Sequence, residues 1–191
     1  MTPDVVPQII PHLLPELGHL ALVIAFAFAI CLSFIPLIGV HSSQNKLMSY
    51  AKPLTFGMFI FTAISLCILA YSFVLDDFSI KYIASHSNSH LPYYFKISAV
   101  WGGHEGSLLL WVFSLTAWTM AVASFSKNIE EEFIARVLAV MGMIAAAFIA
   151  FTLLTSNPFE RLWPNVPLEG RDLNPLLQDV GLIIHPPLLY L

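Results

Sequence analysis

Four stretches of this chain, approximately residues 18–40, 54–75, 106–126 and 136–157, are apolar throughout, and only Arg136 at the very edge of the last carries a formal charge. Each reaches the length of about 20 residues that a helix needs to cross the hydrocarbon of a bilayer. Backbone groups in lipid find no water, so each run must satisfy its own N–H and C=O groups, which predicts a helix. The expected fold class is therefore all-α: a polytopic membrane helix bundle forming one membrane domain over 1–191. Pro36 removes one ladder bond near the end of the first run and is a candidate kink. A fifth apolar run opens at Pro186-Pro187 and reaches Leu191 while still too short to span. The expectation is four complete transmembrane helices plus the start of a fifth (186–191), the front part of a longer protein.

Composition agrees with that class. Hydrophobic residues make up 58% of the chain and charged residues 10%, against about 25% charged in ordinary soluble domains. Mean hydropathy is +0.79. A net charge of −4 offers nothing to nucleic acid. No glycine-rich phosphate loop and no HExxH pair is present. Cys31 and Cys67 both fall inside apolar runs, with no CxxC or CxxCH, and are expected to be small buried packing residues rather than a disulfide. Residues 1–17 hold no Lys or Arg, so the start lacks the basic region of a signal peptide.

The connections alternate in character. Residues 41–52 and 127–136 are short and carry Lys46, Lys52, Lys127 and Arg136. Residues 76–105 and 160–185 are long and mixed in charge. Lys and Arg number four on each side, but the short loops are far denser in them, despite Glu130, Glu131 and Glu132. Basic residues beside helix ends favour the cytoplasm, so the N-terminus and both long loops are expected outside.

Several polar residues stand out against this apolar background. Pro186 biases His185 away from helical backbone, and proline is tolerated in the first turn of a helix. His185 is therefore expected at or just before the start of the fifth helix, as an interfacial capping histidine or as a metal ligand through a neutral imidazole. Trp101, His104 and Glu105 open the third run, where Trp101 suits an interfacial belt and Glu105 suits a helix N-terminus. His104, Ser107, Trp111, Ser114 and Trp118 recur by three and four and share one helical face, a pattern that fits close packing. The 160–185 loop is rich in proline and is expected to be ordered, solvated and non-helical, with a local Arg–Asp pair among Arg161, Arg171, Asp172 and Asp179. His86 and His90 lie four apart in a Ser/Asn-rich stretch expected to be a solvated loop. His12, His19 and His41 are expected at interfaces. No residue reads as a dedicated nucleophile or acid–base pair.

Two long motifs carry more information than any of these residues alone. Residues 101–111 read Trp-Gly-Gly-His-Glu-Gly-Ser-Leu-Leu-Leu-Trp. Residues 169–179 read Glu-Gly-Arg-Asp-Leu-Asn-Pro-Leu-Leu-Gln-Asp and run on to His185-Pro186-Pro187-Leu188-Leu189-Tyr190, with Thr155-Ser156-Asn157-Pro158-Phe159 between the two motifs. Together they resemble the N-terminal part of the CcmF/NrfE family, the haem lyase subunit of multi-component cytochrome c maturation, over nearly the whole chain from about Glu16.

The resemblance implies a bacterial inner membrane or organellar location. It also implies haem as the bound group, received from a haem chaperone and joined to the two thiols of a CxxCH apocytochrome c beside thiol-reducing, apocytochrome-handling subunits. His185 matches the first of two outer histidines that hold the transferred haem. The second outer histidine, both ligands of a resident haem b and the Trp-rich WWD segment match nothing in 1–191. Within the same resemblance Arg171, or Arg161, is a candidate partner for a haem propionate through its guanidinium fork, and Trp101, His104 and Glu105 are candidates to line the haem chamber. No catalytic residue is assigned, because the protein's share of such chemistry is positioning and control of iron ligation. Two other classes remain open: a haem or solute transporter subunit, disfavoured by the lack of ionisable groups mid-span, and a scaffold that only docks maturation components.

Overall fold

The computed structural model describes residues 6–190, with side chains described from residue 13 onward except at Leu182. Eight α-helices follow in order: α1 (Val6–His41), α2 (Asn45–Ser49), α3 (Ala51–Val74), α4 (Lys81–His86), α5 (Tyr93–Ala99), α6 (His104–Phe125), α7 (Glu131–Thr155) and α8 (Val180–Tyr190), with a 3-10 turn at Pro175–Gln178. Four helical stretches are long and apolar enough to cross a membrane, with residues 45–74 counting as one. They overrun the apolar runs of the sequence, because polar residues extend a helix past the hydrocarbon. Thus α7 begins at Glu131, where Glu131 and Glu132 suit its N-terminus. α1 runs on through Pro36 to His41.

α1 packs against α3 and α7, and α6 closes the ring by packing against the same two helices. α8 lies outside this ring, against α6. The interior is built from small and aliphatic side chains such as Ala25, Ala29, Leu32, Met58, Leu138 and Ala145, together with hydroxyls. Thr55, Thr62, Ser33, Thr119 and Thr152 are buried, and each donates to the carbonyl four residues back at 2.7–2.9 Å. Such hydroxyls allow close helix approach without leaving an unpaired donor in an apolar medium. Large apolar side chains face outward instead, among them Phe34, Ile38, Ile60, Trp118, Ile144 and Leu154. In water that surface would be costly; in lipid it is the expected exterior. Cys67 belongs to it, exposed on α3, and Cys31 is half-buried. The expectation that both are buried is corrected: the apolar run around Cys67 reflects lipid contact rather than a core.

The helix directions place the loops at two ends. Residues 41–50 and 126–130 turn the chain at the short-loop end. The start of α1, residues 75–103 and residues 156–179 gather at the long-loop end.

Candidate functional site

At the long-loop end three segments are locked together around Tyr82. This side chain is 3% exposed. Its hydroxyl accepts the Gly103 N–H at 2.9 Å and lies 3.2 and 3.1 Å from the carbonyls of Ala99 and Val100. Burial pushes its phenol well above the ordinary tyrosine range, so it remains a neutral donor. A Cβ on Gly106 would lie 1.7 Å from the Val100 carbonyl oxygen and 2.6 Å from the Tyr82 hydroxyl, which requires glycine at that close approach.

The stretch 85–90 is solvated at Ser85, Ser89 and His90, as its composition predicts, but it is also tied down. His86 packs on the Tyr82 ring at 4.6 Å, with Nδ1 3.0 Å from the Tyr82 carbonyl. Ser87 is buried. The Ser89 N–H and hydroxyl donate to the Glu169 carboxylate at 2.9 and 2.6 Å, and the hydroxyl in particular holds that carboxyl below the usual range. Asn88 donates to Asp172 at 2.9 Å. Asp172 therefore pairs with Asn88, and among the described residues Arg171 and Asp172 form no ion pair although they adjoin in sequence. The reason is tertiary: the Arg171 N–H donates to the Ala84 carbonyl at 2.7 Å and lays residues 169–172 across the end of α4.

Charge is also paired here. Lys96 is buried and reaches Asp76 at 2.5 Å. Asp76 itself adopts a positive φ of 55° just past α3, a conformation that Asp tolerates better than most residues. Arg161 bonds the Glu16 carboxylate at 2.9 and 2.8 Å and also reaches the Ser79 hydroxyl. Among the described residues no group of three or more His, Cys, Asp or Glu is arranged to hold a metal ion.

The segment carrying His185 differs from its sequence expectation. α8 begins at Val180, not at Pro186. Asp179 caps it: its carboxylate accepts the Gly181 N–H at 2.8 Å and its carbonyl accepts the Ile183 N–H at 3.0 Å. His185 is consequently inside the helix, and both prolines lie beyond the first turn. An interior Pro187 removes the donor for the Ile183 carbonyl. That carbonyl accepts the indole N–H of Trp101 at 2.9 Å instead. About two helical turns further on, Tyr190 stacks on Trp111 at 6.0 Å and 18°. Ile183, Pro187 and Tyr190 are spaced by four and three, so they share the face toward α6. His185 falls on the opposite face and is exposed beside Ile184, Leu188 and Leu189. Neither ring nitrogen has a hydrogen-bond partner among the described residues.

Trp101 and His185 are thus brought to one helix. The other candidates are distributed around the same end. His104 Nδ1 lies 3.1 Å from the Ser156 hydroxyl and ties α6 to the end of α7. Glu105 is half-buried in the first turn of α6. Ser107 donates to the Trp101 carbonyl and Ser114 to the Leu110 carbonyl, but His104, Trp111 and Trp118 of the same stripe are exposed, so the expectation of one close-packed face is corrected: its tryptophans belong to the apolar exterior. Arg171 is exposed on a cavity of about 450 Å³ lined also by Lys81, Ser85, Leu162, Asn165 and Glu169. His19 lies 3.2 Å from Asn157, and His41 is exposed at the short-loop end. The side chain of His12 lies outside the described residues. Sequence reasoning missed Tyr82, Lys96 and Asp76.

The long-loop end thus presents an exposed imidazole, His185, on an apolar helix face, with the Trp101 and Tyr190 contacts on the opposite face of α8. The Cytochrome C assembly protein family model matches residues 101–191, which include both long motifs. The chain is 54% identical to the cytochrome c-type biogenesis protein CcmF of Pseudomonas aeruginosa over 94% of its own length, and 49% identical to CcmF of Escherichia coli over 94%. It is 49% identical to the cytochrome c-type biogenesis protein NrfE of Haemophilus influenzae over 93%. It spans only 27–28% of these relatives. A solved structure titled cytochrome c heme lyase CcmF has the same fold over 93% of this chain and 27% of its own, with a TM-score of 0.78 at 23% identity. The run of motifs, the match in sequence and the shared helix arrangement together make the chain a member of the CcmF/NrfE family of cytochrome c-type biogenesis proteins, corresponding to the N-terminal part of its longer members.

Proposed function

We propose that this membrane domain is part of a haem lyase for cytochrome c maturation and that His185 supplies one axial ligand to the haem being transferred. The observation that carries the proposal is the exposed imidazole on α8, turned away from α6 and engaged by no other described residue. A lone uncommitted imidazole beside lipid-facing aliphatics is costly as packing and well suited to iron. Haem is the substrate here. It supplies its own vinyl groups for thioether formation with the CxxCH thiols of apocytochrome c. This chain's residues hold iron at one face and exclude water with Leu188 and Leu189. Arg171 offers a guanidinium to a propionate at the rim of its cavity. The second axial ligand, the WWD segment and a resident haem b belong to parts of the family protein that this chain does not match.

On the same reading the long-loop end faces the periplasm, or the equivalent organellar compartment, and the short basic loops face the cytoplasm. The partners are a haem chaperone, apocytochrome c and the thiol-reducing subunits of the maturation complex. The test uses the full-length protein carrying His185→Ala, loaded by the chaperone and purified. Loss of the transferred haem with any resident haem retained is expected. Normal retention of transferred haem would remove His185 from the role. A scaffold that only docks components predicts that normal retention.

A further inference from the structure

We infer that Trp101 is a positioning residue for His185: its indole N–H donates to the Ile183 carbonyl that Pro187 leaves without a helical donor, and this bond fixes the rotation of α8 that turns the imidazole away from α6. The inference deepens the proposed role of His185 and rests on it for its functional half.

An α-helix interrupted by Pro-Pro has lost part of its internal ladder and is easily rotated or bent at that level. His185 lies between the freed carbonyl and the prolines, so it stands where α8 is weakest in its own hydrogen bonding. In an apolar medium the Ile183 carbonyl must find a donor from outside its helix. Trp101 meets that need at 2.9 Å. The backbone that carries the indole is itself held by local bonds. The Trp101 backbone N–H donates to the Ser98 carbonyl at 3.2 Å, and its carbonyl accepts the Ser107 hydroxyl at 2.8 Å. The next residue, Gly102, donates to Ala99 at 3.0 Å, and Gly103 donates to the buried Tyr82 hydroxyl. The Trp-Gly-Gly turn is therefore a rigid mount. The Trp111–Tyr190 stack steadies α8 further along, but it lies beyond both prolines and does not reach the level of His185.

The experiment uses the full-length protein with Trp101→Phe, Pro187→Ala, the double variant and His185→Ala. Phe keeps an aromatic ring and removes only the donor. Ala at position 187 returns a backbone N–H that can reach the Ile183 carbonyl. Two readouts are taken: amide hydrogen exchange across α8 without haem, and the dissociation rate of haem loaded by the chaperone. Trp101→Phe is expected to speed both about tenfold, the effect of one hydrogen bond left unmade. Adding Pro187→Ala is expected to recover most of that loss in both readouts. Unchanged exchange in Trp101→Phe overturns the inference. So does faster exchange that Pro187→Ala fails to recover, because the ring rather than the donor would then be acting. Normal haem retention in His185→Ala refutes the ligand role alone, and the exchange readout still decides whether Trp101 holds α8.

Discussion

The two ends of the bundle solve the same problem, reversing the chain at a membrane surface, by different means. At the short-loop end the turns are brief and bonded to themselves. Ser42 and Gln44 donate back to Ile38 and Gly39, and Ile129 donates to Ser126. Among the described residues its one ion pair is Glu132 with Arg136, four residues apart and exposed on a single helix. At the long-loop end segments distant in sequence are bonded to one another. Residues 79–81 bond 160–162, residues 84–89 bond 169–172, and Glu16 bonds Arg161. Tyr82 and Lys96 are buried at this end, Lys96 paired with a partly exposed Asp76. An end that only turned the chain would need none of this. The long-loop end is a built platform, and His185 emerges from its edge.

That contrast can be broken at its strongest point by Gly106→Ala. The added Cβ has backbone against it, not a flexible side chain. A loss of about 3 kcal/mol or more is expected, seen as failure to accumulate or a large fall in melting temperature. Wild-type stability in this variant would mean that the Tyr82 junction is loose. Lys96→Met comes next. It leaves the Asp76 carboxylate against a buried methionine, and a loss of about 3 kcal/mol is expected, toward the low end of such cases because Asp76 is partly exposed. Asp76→Asn added to Lys96→Met should recover part of it in a double-mutant cycle of thermal stability.

A milder probe is pH. Glu169 is held below the ordinary carboxylate range by donation from Ser89. A carboxyl with a depressed value in the folded state contributes above its unfolded value, and that contribution disappears as pH falls through the folded one. Protection of amides 85–90 should therefore persist down to about pH 4, the ordinary range for Glu, and fall below it. Ser89→Ala should move the loss to higher pH. The smallest effect is expected at the opposite end: Arg136→Ala removes only an exposed pair and should change stability by about 0.5 kcal/mol or less. A larger change would mean that the short-loop end is also a platform.

Much of the bundle was legible from the chain because the bilayer imposes one rule on every long apolar run. The four spans and the all-α class follow from that rule. His185 could be singled out because it stands directly before Pro186-Pro187 and because the resemblance to the family matches it to an outer histidine. Its true place could not. The Pro-Pro pair reads as a helix start, but Asp179 caps α8 earlier, and the interior prolines persist because Trp101, eighty-two residues away in sequence, supplies a donor. The Ser/Asn-rich stretch 85–90 reads as solvated and is exposed at Ser85, Ser89 and His90, but its bonds to Glu169 and Asp172 were not legible. Lys96 and Asp76 look like two ordinary loop charges until the turn after α3 brings them together.

The sequence by itself therefore determined which segments enter the membrane, since hydropathy and length act locally and need no knowledge of neighbours. Tertiary structure alone decided which polar groups are consumed in holding the platform and which, like His185, are left facing outward. That choice depends on donors and acceptors contributed by remote segments, and hydrogen bonds across such distances leave no periodic trace in the chain.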